Sequence, residues 1–468
     1  MKKVLLFLIL IWIVPEAPGQ PVSQRLQAAY QRFENDSQLR HAVSSLYVID
    51  AATGQVVFDK NSQVGLAPAS TQKVITSATA FSLLGSGYGF RTLFYLDGQM
   101  EKDVLKGNFI IRASGDPTFG SWRFSGTKKE VIVQAIVSML KEKGIRSIEG
   151  NIILDDTNFE TQQVPDGWIW QDIGNYYGAG ATGFCWNENQ YDLYLEAGNR
   201  PGDPVKVVRT DPPLTSGFMV NELKTGPAGS GDNAYIYQGQ SLFVKGTIPA
   251  GEKNFKISGA VYQPQLLFGV MLKQQMTQSG ITLKGKLLSG LDKSGNEKQF
   301  ACKVPPFNFI VSPSLDSIIY WFNKKSINLY GEALVKTFAF EKNGFGSTDS
   351  GVAIVRKFWK EKGIDEGELN IHDGSGLSPQ NRVTTHAQVE ILRYARSQNW
   401  YPSFLASLPE YNGMTMKSGT ISDVKGFCGY HRSKSGKEYI FSFLVNNYSG
   451  KSSALVGKMY KVLDELKL

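Results

Sequence analysis

The stretch Ala67-Pro68-Ala69-Ser70-Thr71-Gln72-Lys73-Val74-Ile75-Thr76 decides how the rest of the chain is read. A serine and a lysine stand three residues apart, just after a proline and just before an apolar run (Val74, Ile75, Ala78, Ala80, Phe81, Leu83, Leu84). The pattern predicts a helix that begins near Ser70 and stops at Gly85 or Gly87. Positions i and i+3 share a helical face, so the Lys73 amine can reach the Ser70 hydroxyl. A serine at a helix N-terminus also has its backbone N–H in a positive local field, which suits a developing oxyanion. The S-x-x-K spacing recurs at Ser125, Ser138 and Ser422, but there in a loop composition, inside an amphipathic run, and after a strand-like segment. Only Ser70 opens a helix with an apolar body behind it. Ordinary N-capping is the competing reading.

Two later motifs strengthen the nucleophile reading, and they come in a fixed order. Ser326-Ile327-Asn328 is S-x-N, which otherwise occurs at Ser294 and Ser397. Lys417-Ser418-Gly419-Thr420 is K-[ST]-G, which otherwise occurs at Lys224, Lys293 and Lys434. Lys224 lies upstream of every plausible S-x-N, Lys293 sits in a polar turn, and Lys434 marks a hairpin tip. Lys417 instead ends an apolar run, as expected of a sheet-edge strand beside a cleft. The chemistry fits the residue types. Ser70 attacks an acyl carbon and divides one hard step into acylation and deacylation. Lys73 acts as base if burial and the second cation Lys417 keep it partly neutral. Ser326 relays a proton between the lysines and the leaving nitrogen, and Asn328 fixes the substrate amide. Lys417, Ser418 and Thr420 suit a terminal carboxylate, and the backbone N–H groups of Ser70 and Thr420, with Gly419 between Ser418 and Thr420, form the oxyanion hole.

Composition bounds the rest. The 468 residues allow two to four domains at about 150 residues each, and 42% hydrophobic with 20% charged residues describes an ordinary globular chain. Met1-Lys2-Lys3, eleven apolar residues from Val4 to Val14, and small residues Ala17 and Gly19 read as a secretory signal cut after Gly19. The cut takes away Lys2, Lys3 and Glu16, so the formal charge goes from +8 to +7. Such mild basicity allows weak association with an anionic envelope polymer and gives no sign of nucleic-acid binding. Cys185, Cys302 and Cys428 allow at most one internal disulfide and have no metal-ligand spacing; His41, His372, His386 and His431 are scattered. No cofactor or metal is expected. Along the chain, a helix at Val22–Phe33 and a hairpin at 45–58 precede Ser70. From about Arg91 to Ala260 the texture changes to inserted material, α/β at first and then β-rich. Helices return at Pro264–Gln278, Leu315–Lys325, Leu329–Phe340 and Val352–Lys362. Strands at 414–417, 425–431 and 438–445 and a helix at 453–466 close the chain.

The three motifs, together with Ser114-Gly115-Asp116-Pro117, Asp155-Asp156, Gly167-Trp168-Ile169-Trp170-Gln171-Asp172 and Asp373-Gly374-Ser375-Gly376-Leu377-Ser378, resemble the class C low-molecular-mass penicillin-binding proteins, the D-alanyl-D-alanine carboxypeptidase/endopeptidase family. The resemblance covers nearly all of the mature chain. It implies an α/β (α+β) penicillin-binding/β-lactamase-like serine transpeptidase fold with two nested insertions. The expected layout is a signal at 1–19, a discontinuous catalytic domain at 20–90 and 261–468, an α/β insert at 91–165 and 240–260, and a nested β-rich domain at 166–239. It also implies a periplasmic serine D,D-peptidase of peptidoglycan stem peptides, acylated by β-lactams, that releases terminal D-alanine or hydrolyses the D-alanyl cross-link to a diamino acid. By motif position Asp172 meets the free amine of that diamino acid, with Tyr177 as its aromatic neighbour. Two departures stand out: K-S-G replaces the usual K-T-G, and Pro379 stands where the family often has an arginine after D-G-S-G-L-S. The Asp373–Ser378 segment reads as a glycine turn that shapes the cleft floor. The alternatives are a β-lactamase, which lacks so long an insert, and a catalytically silent envelope-binding protein.

Overall fold

The computed structural model describes residues 20–214, 219–239, 241–290, 302 and 304–468. The expected signal at 1–19 and the Lys293 motif lie outside the described residues. The architecture is mixed α/β, built around a six-stranded antiparallel sheet. Its strands run in the order Glu410–Tyr411, Met414–Ile421, Val424–Arg432, Glu438–Asn446, Val43–Asp50, Val56–Lys60. The central strands are buried along nearly their whole length, because helices cover both faces. On one face the first and last helices, Val22–Glu34 and Ser452–Leu463, place Leu26, Tyr30, Leu455 and Met459 against Leu46, Phe441 and Phe443. The closing amphipathic helix therefore packs on the sheet.

The other face carries the helices that hold the motifs. Lys73–Leu84, Leu315–Lys324, Asn328–Asn343, Thr348–Glu361 and Thr385–Arg396 share one core with Tyr47, Ile49 and Ile440 of the sheet. The Lys73–Leu84 helix is buried nearly all round, so its apolar positions show no strong one-sided stripe; it runs through the middle of the domain. It ends at Gly85, whose φ is +80°.

Two further units lie between Ser70 and Ser326. A seven-stranded sheet combines the hairpin Arg91–Glu101/Val104–Arg112 with short parallel strands at Ser147–Ile148, Ile152–Asp155, Thr282–Leu283 and Leu287–Ser289 and an antiparallel edge at Asn308–Val311. Two three-stranded sheets spanning Gln190 to Ala260 enclose a separate small core that includes Leu193, Leu223, Ile236 and Val244.

Strand pairing moves the expected boundaries. Leu242–Pro249 and Phe255–Ala260 belong to the β-rich sheets and not to the α/β unit. Helix Pro264–Gln278, assigned from sequence to the catalytic part, buries Phe268, Leu272 and Met276 against Ile132, Ile136 and Leu140 of helix Lys129–Glu142. The α/β sheet closes only at Asn308–Val311, which pairs with Arg91–Phe94. The physical reason is parallel pairing across more than a hundred residues, which leaves no local trace in sequence. The expected helices at 315–325, 329–340 and 352–362 each have an observed counterpart, whereas Thr385–Arg396 and Tyr401–Ser407 had not been anticipated.

Candidate active site

Ser70 lies in a single 3-10 turn, Ala69–Gln72, that leads straight into helix Lys73–Leu84. Ala69 just before it has φ +46°, a left-handed conformation that costs an alanine about 1–3 kcal/mol. The turn is held by Thr71 Oγ1 donating to Pro68 O at 2.6 Å and by Gln388 Nε2 donating to Thr71 Oγ1 at 2.9 Å. Lys73 reaches back over one turn, as the spacing predicts. Its Nζ donates to Ser70 Oγ at 3.0 Å, to Asn328 Oδ1 at 2.6 Å and to the Ser375 carbonyl at 2.8 Å.

The Lys73 side chain is 0% exposed, and among the described residues no carboxylate pairs with it. Burial, reinforced by the charge of Lys417, holds its pKa well below the ordinary lysine value, with Asp373 and Glu332 pulling the other way. Lys417 is equally enclosed. Burial pushes it down to about 7, and its Nζ donates to Ser326 Oγ at 3.1 Å and to the Ser418 carbonyl at 2.8 Å. Ser326 sits just before helix Asn328–Asn343 with φ +55°. The hydrogen bonds thus form two groups, Lys73 with Ser70 and Asn328, and Lys417 with Ser326.

Gly419 brings the third motif against the first. A Cβ there would stand 2.7 Å from the Pro68 carbonyl and 2.8 Å from the amide nitrogens of Ser70 and Thr71, so only glycine lets the strand approach the serine. The outer edge of that strand pairs with Glu410–Tyr411 only at Met414 and Thr415, which leaves that edge from Lys417 onward without a strand partner among the described residues. Ser70, Ser326, Asn328 and Thr420 line a cleft of about 440 Å³ together with Asp172, Tyr177, Arg123, Tyr235 and Pro379. Lys73, Lys417, Ser418 and Gly419 stand behind this lining.

The second wall comes from the segment after Asp155. Asn328 Nδ2 donates to the Tyr177 carbonyl at 2.7 Å, and Tyr177 OH donates to Asp172 Oδ1 at 3.2 Å. Asp172 is half-buried. Burial raises its pKa, the Tyr177 hydrogen bond partly offsets this, and among the described residues no cation pairs with it. The glycine-rich turn is more than a floor. Asp373 accepts from Trp168 Nε1 at 2.9 Å, Gln72 Nε2 at 3.0 Å, Gly376 N at 2.8 Å, Ser378 N at 2.7 Å and Asn381 Nδ2 at 3.0 Å. One carboxylate thereby joins the insert, the Ser70 turn and the loop that presents the Ser375 carbonyl to Lys73. Gly376, at φ +83°, would place a Cβ 1.9 Å from the Ala69 carbonyl.

Glu332 was missed in the sequence, although it lies one helical turn after Asn328 and so on the same face. It is fully buried and accepts from Gly374 N at 2.9 Å. Burial and the adjacent Asp373 push its carboxyl up to about 8. Glu188 and Arg123 were missed as well. Glu188 accepts from Arg123 Nε at 2.8 Å, Ser121 Oγ at 2.7 Å and Tyr330 OH at 2.8 Å on the cleft wall. The three cysteines are free, with Cys185 and Cys428 buried.

Comparison with known proteins places the chain among relatives. The D-Ala-D-Ala carboxypeptidase 3 (S13) family model matches residues 26–410. The chain is 27% identical over 450 residues to a D-alanyl-D-alanine carboxypeptidase of Actinomadura sp. (strain R39), covering 90% of this chain and 81% of that one. It is 26% identical over 417 residues to the D-alanyl-D-alanine carboxypeptidase DacB of Haemophilus influenzae, covering 84% and 83%. The crystal structure of penicillin binding protein 4 from Haemophilus influenzae superposes with a TM-score of 0.77 at 21% identity, covering 95% of this chain and 99% of that one, which shows a shared fold.

The Glu332 environment makes a stability prediction. A carboxyl raised to about 8 from its ordinary 4.5 keeps its proton in the folded state where the unfolded chain has released it. Its contribution is complete below the unfolded value and is lost as pH rises through about 8. Glu332→Gln is neutral throughout, so its thermal midpoint is expected to fall less than the parent's across that window. Parallel curves for the two proteins would exclude a protonated Glu332.

Proposed function

The chain belongs to the D-Ala-D-Ala carboxypeptidase 3 (S13) family, and from that premise we propose a serine D,D-peptidase that acts on peptidoglycan stem peptides through an acyl-enzyme on Ser70. The observation that carries the reading is the buried Lys73 amine, 3.0 Å from Ser70 Oγ and without a carboxylate partner among the described residues. Desolvation favours the neutral amine, which is the form that can accept a proton. In acylation the Ser70 oxygen bonds to the carbonyl carbon of the penultimate D-alanine while Lys73 takes the hydroxyl proton. The N–H groups of Ser70 and Thr420 stabilise the oxyanion, as the close approach of Gly419 allows. Collapse breaks the C–N bond, and a proton delivered by Ser326 from Lys417 neutralises the leaving amine. Water then attacks the ester, the same basic groups remove its proton, and Ser70 is regenerated.

Asn328 orients the substrate amide, and Ser418 with Thr420 receives the carboxylate next to the scissile nitrogen. Asp172, on the opposite wall with only the Tyr177 hydroxyl on its carboxylate among the described residues, binds the free amine of the diamino acid. That contact serves both terminal D-alanine removal and hydrolysis of the D-alanyl cross-link. Penicillins acylate Ser70 by the same route. The exported, periplasmic location rests on the leader-like sequence at 1–19, and among the described residues no helix is long and apolar enough to cross a membrane.

Three outcomes test the reading. Benzylpenicillin mixed with the mature protein should leave a persistent adduct of one drug per chain by intact mass, absent in Ser70→Ala. Rapid drug turnover without an adduct would point to a β-lactamase instead. The acylation rate should fall on the acid side as Lys73 gains a proton, and Lys417→Met should move that limb to higher pH. Removing a neighbouring positive charge raises the Lys73 pKa, so an unmoved or downward-shifted limb would contradict the coupling. Asp172→Asn should lower kcat/KM about 10- to 100-fold for a peptide with a free diamino acid amine, the size of one charge-assisted hydrogen bond. The N-acetylated peptide should be much less affected.

A further inference from the structure

The fourth S-x-x-K, Ser422 to Lys425, carries no nucleophile, yet it begins on the active cleft. The hairpin Met414–Ile421/Val424–Arg432 turns at Ser422 and Asp423 and pairs Thr420 directly with Lys425. Cross-strand partners project to the same face, and here Lys425 Nζ donates to Thr420 Oγ1 at 2.7 Å. The amine also lies 5.0 Å from the centroid of the Phe427 ring, which steadies it from below. Among the described residues no carboxylate pairs with Lys425. It is a half-buried cation, depressed in pKa by burial, that meets the cleft through the Thr420 hydroxyl.

The donor and acceptor inventory then fixes the hydroxyl. An ammonium group has only donors, so Thr420 Oγ1 must accept from it, and the hydroxyl's own hydrogen must point elsewhere. Thr420 is exposed and lines the cleft with Ser70, so that hydrogen is free for an incoming anion. A threonine without this partner could rotate and offer a lone pair, which would repel a carboxylate.

We propose that Lys425 is a specificity-determining positioning residue, which locks the Thr420 hydroxyl as a donor and adds an unneutralised positive charge for the carboxylate next to the scissile amide nitrogen. The inference rests on the serine-peptidase reading of the cleft. The ligand class is any acyl donor with an anionic carboxylate on the leaving-group side, whether that group is terminal D-alanine or a cross-linking diamino acid. Lys417 already donates to Ser326 and to the Ser418 carbonyl. On this hairpin Lys425 is therefore the lysine left to answer the substrate charge.

The test uses two probes that differ only in that charge, benzylpenicillin and its methyl ester, with second-order acylation of Ser70 followed by intact mass. In the parent protein the free acid should react faster. Lys425→Met should slow the acid about 10- to 100-fold, the range of a charge-assisted hydrogen bond, while the ester changes less than about threefold. Lys425→Arg should restore most of the preference, and Lys425→Met in a Thr420→Val background should add little. Equal slowing of both probes would assign Lys425 a structural role and overturn the proposal, as would an unchanged acid rate. If the parent protein forms no adduct with either probe, it is the serine-peptidase reading that fails.

Discussion

Everything in the cleft depends on keeping two lysine amines out of water without giving either a carboxylate. A buried ammonium that found an acid at contact distance would stay charged and could not act as a base. The fold instead offers Lys73 neutral oxygens: a hydroxyl, an amide oxygen and a main-chain carbonyl. The acids nearby are spent on other work. Asp373 is saturated by five donors, and Glu332 is held toward its protonated form by burial. Negative charge is close enough to tune the amine and too committed to capture it.

That arrangement requires the insert. The catalytic core alone would leave Asn328 and the Asp373 turn open to solvent, and desolvation of Lys73 would weaken. The chain from Asp155 to Gln190 closes the site by docking on helix Asn328–Asn343 at three levels. Near the cleft, Asn328 holds the Tyr177 carbonyl. Two residues on, Tyr330 holds Glu188. Further along, the buried Lys336 amine donates to the Gln162 and Ala181 carbonyls and pairs with Glu160 at 3.2 Å. The last is a structural lysine in the same helix as the S-x-N asparagine. Its ion pair with Glu160 opposes the depression of its pKa by burial, and this separates it from the lysines of the cleft.

The sequence reveals what is local and hides what is not. Ser70 and Lys73 are one turn apart, and S-x-N opens a helix. Lys417 to Thr420 precedes a hairpin, so residue spacing alone could name these five side chains and their order. Glu332 could have been found from the same helix, since it follows Asn328 by one turn, but a lone glutamate amid apolar neighbours gives no sign of which element will bury it. Asp373 looked like part of a glycine turn, because its five donors come from three separate stretches of chain. The return from the insert was misplaced for a related reason: helix Pro264–Gln278 has no marked apolar face that would assign it to one core or the other. Only the pairing of Leu287–Ser289 with Ile152–Leu154 and of Asn308–Val311 with Arg91–Phe94 shows which core that is.

Backbone strain follows the same map. Ala69 and Ser326 adopt left-handed φ values immediately beside the two reacting hydroxyls, or at one of them, and Asn187, Glu188 and Asn189 do so in succession on the cleft wall. Each costs about 1–3 kcal/mol in a residue with a side chain, so none would persist unless its surroundings held it. They do: Ala69 is pinned between Gly376 and the Pro68 turn, Ser326 by Lys417, and Glu188 by Arg123, Ser121 and Tyr330. Binding energy from the hydrophobic core is thus held as geometry at the positions where the hydroxyls must not reorganise during reaction. Substrate then meets donors already aimed, and the cost of aiming them has been met in folding.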